Sequence, residues 1–145
     1  MARKKIKQQQ FVLDCSVVLA WFFEDETDHY AEAVEDAMVS ATALVPSLWR
    51  LEVANALFVG ERRKRTTEAK ITAFLGLLKQ LPILQDDETA ARAWHESLNL
   101  ARAHSLSVYD AAYLELALRR GLPLASNDNP LKVAAKAVGV DEFTP

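Results

Sequence analysis

The stretch Phe11-Val12-Leu13-Asp14-Cys15-Ser16-Val17-Val18-Leu19-Ala20-Trp21-Phe22 decides how the chain is read. Phe11 to Leu13 form a short apolar run that leads straight into an acid. Such a run suits a strand covered on both faces, as in a parallel sheet. Asp14 would then stand at the strand's carboxyl end, where open parallel sheets bind ligands. Ser16 is placed to cap a short helix running through Trp21 and Phe22. Cys15 points by alternation away from Asp14 and reads as core, not as a nucleophile.

The rest of the chain repeats this alternation of short apolar strands and helices. Helices are predicted over 30–39, from Pro46 and Ser47 to about Arg63, over 67–80, 87–104, 108–120 and 130–138. Strands are predicted at 43–45, 83–84 and 122–125, with a terminal one near Val140. Pro46 and Ser47 suit a helix start, and Gly121 suits a helix stop. The pattern implies an α/β fold with a mainly parallel sheet covered on both faces.

The chain has 145 residues, half of them hydrophobic and 26% charged, which is the size and profile of one globular domain. Residues 1–10 carry Arg3, Lys4, Lys5 and Lys7 without periodicity and read as a basic tail, leaving 11–145 as the folded domain. The apolar run from Val17 to Phe23 is too short to cross a bilayer, and Asp14 interrupts any secretory signal, so export is not expected. One cysteine forms no intrachain disulfide, and the three histidines lack zinc-ligand spacing; a cytoplasmic setting is expected. The net charge of −3 gives a nucleic acid no general attraction, so any RNA contact must be local.

Four carboxylates stand out. Asp14 and Asp128 each follow a predicted strand, although Asp also caps helices well. Glu52 lies in Leu48 to Val59, a segment apolar nearly all round, and shares a face with Asn55 three residues on. A buried carboxylate there needs a partner or a metal; Arg50 is the plainer partner. Asp110 follows Ser107 in capping-box spacing and opens a largely apolar helix. If the four converge, their repulsion calls for protonation or a cation. A set of oxygens without thiolate or imidazole suits Mg²⁺ or Mn²⁺ and phosphoryl chemistry.

Four segments resemble the PIN-domain family, and within it the VapC-type ribonuclease toxins of bacterial toxin–antitoxin pairs. They are FVLDCSVVLAWF at 11–22, LEVANAL at 51–57, LSVYDAAYLELA at 106–117 and LASNDNPL at 124–131. The resemblance implies a three-layer α/β/α fold with a short central sheet. It also implies metal binding and catalysis by Asp14, Glu52, Asp110 and Asp128, with Ser16 and Asn55 supporting them. Where Thr-x-Asp is the commoner pattern, this chain has Ser126-Asn127-Asp128. The activity implied is Mg²⁺- or Mn²⁺-dependent endoribonuclease cleavage by a homodimer, restrained by a small antitoxin. A catalytically inert PIN-like RNA-binding or assembly module is the alternative.

Trp21, Phe22, Trp49 and Phe58 are expected to pack in the core. Glu61-Arg62-Arg63-Lys64-Arg65 is the one strong basic cluster of the folded part. It reads equally as favourable charge at a helix C-terminus and as a phosphate or antitoxin contact. A receiver domain would need clustered acids after the first strand, and a haloacid-dehalogenase-like phosphatase a second Asp where Ser16 stands.

Overall fold

The structure, a computed structural model, describes residues 9–145. Most of the expected basic tail lies outside the described residues. Gln9 and Gln10, assigned to it by sequence, instead open the first strand.

The strands are β1 (Gln9–Leu13), β2 (Ala41–Val45), β3 (Ile83–Gln85) and β4 (Leu124–Ala125). All pair in parallel, in the order β3-β2-β1-β4, with Phe11 opposite Ala43 and Val12 opposite Leu124. The helices are α1 (Cys15–Phe22), α2 (His29–Ala37), α3 (Trp49–Arg62), α4 (Glu68–Leu78), α5 (Thr89–Arg92), α6 (Leu98–His104), α7 (Val108–Arg120) and α8 (Asn129–Ala137). They flank the sheet as the outer layers of a three-layer α/β/α fold. In place of a further terminal strand, Glu142 makes a single parallel bridge to Leu124.

β1 explains this arrangement. Phe11, Val12 and Leu13 are fully buried, as a central strand covered on both faces must be. From β1 the chain moves to β2 on one side and returns to β4 on the other. The strand order therefore reverses beside β1, the place at which open parallel sheets bind ligands beyond the carboxyl ends of their strands. Tyr113, Leu114 and Leu116 of α7 complete the core beneath it.

Several local expectations need correction. Ser16 does not cap α1: Asp14 is at the cap position, and the Ser16 hydroxyl is turned onto its carboxylate. Ser47 does not cap α3, which starts after Leu48; the Ser47 amide donates to Thr89 Oγ1. The helix predicted over 87–104 starts at Thr89 and widens to a π-turn over Ala93–Ser97. Helix α3 is not buried all round, because Leu51, Ala54, Asn55 and Phe58 face outward. Trp49 is buried as expected, whereas Phe58 is 52% exposed.

Candidate metal-binding site

Asp14 is the deepest of the four acids, 5% exposed directly after β1. It makes no side-chain cap to α1. Its Oδ2 accepts hydrogen bonds from Ser16 Oγ at 2.7 Å and Ser126 Oγ at 2.8 Å. Burial pushes its pKa up to about 6 against the two hydroxyls, and the charges of Asp110 and Asp128 push the same way. Burial also raises the neighbouring Cys15 thiol, which makes this cysteine a poor nucleophile.

Ser126 ties Asp14 to the fourth segment. Its Oγ also accepts from the Asp128 amide at 3.0 Å, while the Asn127 amide donates to Ser16 Oγ at 2.9 Å. Two neighbouring parallel strands are thus joined at their ends through a net of serine hydroxyls. The Asp128 side chain accepts from the Leu131 amide at 3.0 Å, so it does cap α8. Its charge nevertheless reaches Asp14 and Asp110.

Glu52 and Asp110 come from helices. Glu52 stands half-buried in the first turn of α3 and accepts a hydrogen bond from the Tyr113 hydroxyl. Arg50, the alternative partner the sequence offered, donates instead to Gln85. Burial raises the Glu52 pKa, the Tyr113 bond opposes this, and Asp14 and Asp110 add to the rise. Asp110 opens α7 beneath Ser107, whose Oγ accepts from the Asp110 amide at 3.0 Å. The reciprocal half of the capping box is not formed among the described residues, so the Asp110 carboxylate is not spent on the helix end. Burial and the charge of Asp128 raise its pKa.

The charges of Asp110 and Asp128 act on Asp14, those of Asp14 and Asp110 act on Glu52, and that of Asp128 acts on Asp110, so each acid feels at least one other. None of the ion pairs among the described residues involves them. Asp14 and Glu52 are oriented by neutral hydroxyls, which hold a carboxylate in place without cancelling its charge. As the side chains stand, no three Asp, Glu, His or Cys among the described residues make a set that could hold a metal ion. In kind the donors fit a hard, oxygen-seeking cation. Concavities of about 550 and 530 Å³ elsewhere on the surface are lined by none of the four acids. Asn55 is exposed, and its side chain hydrogen-bonds none of the acids among the described residues.

Sequence reasoning missed two residues. Ser126 was legible, because it supplies the hydroxyl of the commoner Thr-x-Asp pattern. Tyr113 was not: in an apolar helix a tyrosine reads as core, and its partner lies 61 residues away.

The PIN domain family profile matches residues 11–137. A comparison with curated proteins finds no significant match. Among solved structures, PAE2754 from Pyrobaculum aerophilum is similar with a TM-score of 0.63 at 23% identity, covering 94% of this chain and 88% of that one. FitAcB from Neisseria gonorrhoeae is similar with a TM-score of 0.52 at 18% identity, covering 93% of this chain and 97% of that one. Likeness at these identities speaks for the fold. With a profile match across most of its length, this chain belongs to the PIN-domain family.

Proposed function

We propose that this protein is a metal-dependent endoribonuclease, a VapC-type toxin held in check by a small antitoxin. PIN domains are in general nucleases. The observation that carries the reading is the state of the four acids: crowded, partly desolvated, and paired with no cation among the described residues. Such an arrangement is costly unless a cation neutralises it.

Asp14 and Asp110 would hold a Mg²⁺ or Mn²⁺ ion, with Glu52 and Asp128 completing the acidic ring. A bound divalent ion supplies a more acidic water and stabilises charge gathering on a phosphodiester. The chain's own work is to aim the acceptors. Ser16 and Ser126 fix one oxygen of Asp14, Tyr113 fixes Glu52, and Ser107 sets the first turn of α7 that carries Asp110. No covalent nucleophile is required, in keeping with the buried Cys15.

The same charge state suits restraint by a basic side chain. An Arg from a small antitoxin fits best, since its planar fork grips a carboxylate with two hydrogen bonds. We place the activity in the cytoplasm and in a homodimer. No helix among the described residues is long and apolar enough to cross a membrane.

Mapping RNA cleavage ends produced by the purified protein with Mn²⁺, against an Asp14→Asn control, tests the reading. Cleavage that persists in excess EDTA would overturn the metal requirement. No cleavage with Mn²⁺ or Mg²⁺ would leave an inert PIN module.

A further inference from the structure

Helix α3 links the acidic site to the basic cluster that the site itself does not use. Glu52 stands in its first turn, and Arg62, Arg63 and Lys64 stand at its other end. The ten steps of helix from Glu52 to Arg62 span about 15 Å. Glu52, Asn55, Val59 and Arg62 follow at helical spacing and share one face, on which Asn55 and Arg62 are exposed. Beside them Phe58 is 52% exposed, with the Arg62 guanidinium 5.8 Å from its ring centroid. An exposed aromatic ring flanked by arginine is a surface on which unpaired bases stack.

The cluster's cations divide into two kinds. Arg65 serves the fold: it pairs with Asp25 at 2.9 Å and lies 4.1 Å from the Phe23 ring centroid. Arg62, Arg63 and Lys64 are exposed, and none belongs to an ion pair among the described residues. Lys64 also adopts a left-handed backbone, with φ 61°. Helices favour Gly there, and α7 does end on Gly121 in that conformation. Stability at the helix end would thus be better served by Gly, so it does not account for a lysine.

From this face we infer a track for single-stranded RNA. Arg62, Arg63 and Lys64 hold phosphates, Phe58 stacks a base, and Asn55 hydrogen-bonds the strand on its way to the carboxylates. The track rests on the nuclease reading above and extends it to residues outside the acidic cluster. It grips the strand a few nucleotides from the cut, so it sets affinity and length preference. It also supplies the local positive charge that a chain of net charge −3 needs to hold a polyanion.

The test uses the full chain carrying Asp14→Asn for binding, and the unaltered protein for cleavage. The probe is fluorescent single-stranded RNA in a short and a long form, titrated over a series of salt concentrations. Arg62→Ala, Arg63→Ala and Lys64→Gly together should weaken binding of the long RNA about tenfold or more. The slope of log affinity against log salt should fall by about 2, from about 0.7 for each of three phosphates. In cleavage the KM should rise, and more for the long RNA than for the short. Lys64→Gly alone should weaken RNA binding while Tm holds or rises, an outcome that a purely structural lysine would not produce. Equal affinity and equal salt slope for the triple variant overturn the track, including the case in which the patch serves an acidic protein segment. Because binding is read apart from cleavage, a protein that grips RNA through this face and cuts none overturns the nuclease reading and leaves the track standing.

Discussion

The Tyr113 hydroxyl, fully buried in α7, donates its hydrogen bond to Glu52 Oε1 on α3. That single bond joins the two helices that carry Glu52 and Asp110. It is also the one hydrogen bond that holds the Glu52 carboxylate among the described residues. Tyr113→Phe should lower Mn²⁺ affinity several-fold, since the carboxylate loses its orientation and its pKa rises further. The fold should lose only about 1 kcal/mol. Calorimetric titration with Mn²⁺ reads the first effect and urea unfolding the second. Unchanged Mn²⁺ affinity would reduce Tyr113 to a packing residue.

Asp14→Asn should abolish cleavage and stabilise the metal-free fold at neutral pH. In the fold, burial pushes the Asp14 pKa up to about 6, above the ordinary carboxylate value of 3.8. The folded state therefore binds the proton more tightly than the unfolded chain. Stability of the unaltered protein should fall as pH rises from about 4 to about 6 and then level off. The difference between those two values corresponds to a penalty on the order of 3 kcal/mol above that window. The Asn variant escapes the penalty, so its advantage should vanish near pH 4. Melting both proteins across that range in EDTA checks the sign.

Divalent ions should act in the opposite direction on the unaltered protein. A Mg²⁺ or Mn²⁺ ion that binds only the folded state at 100 times its Kd adds about 2.7 kcal/mol of stability. Tm should rise with Mn²⁺, return with EDTA, and respond weakly in the Asp110→Asn variant. A Tm indifferent to both ions would count against any metal at these acids.

Arg119 should prove a structural residue. All of its N–H groups are used, on Asp86, Glu88 and Glu115, with Asp86 at 2.7 Å and Glu115 at 2.7 Å. Burial would raise Asp86, but hydrogen bonds from Arg119 and Thr89 and the Arg119 charge hold it below its ordinary value. Arg119→Ala leaves two buried carboxylates facing each other without a cation. It should cost about 3–5 kcal/mol in urea unfolding. Arg119→Lys should recover only part, because an ammonium cannot match the guanidinium fork.

The sequence by itself determined the elements whose cause is local. An apolar triplet closed by an acid fits a covered strand with Asp14 at its end, and Gly121 ends α7 because its left-handed backbone suits glycine. Alternating strands and helices likewise dictate a parallel sheet, since parallel strands require crossovers. The four acids could be named from their position after strands or in apolar helices. What each does was decided only in three dimensions, because the partners are far apart along the chain. Ser126 reaches Asp14 across 112 positions, and Tyr113 reaches Glu52 across 61. Helix periodicity also misjudged α3: an apolar composition says that a helix has a partner, but only packing says which faces are left over. Leu51, Asn55 and Phe58 remained outside, because α1 packs against one side of the helix and nothing in the local pattern marks where that cover stops.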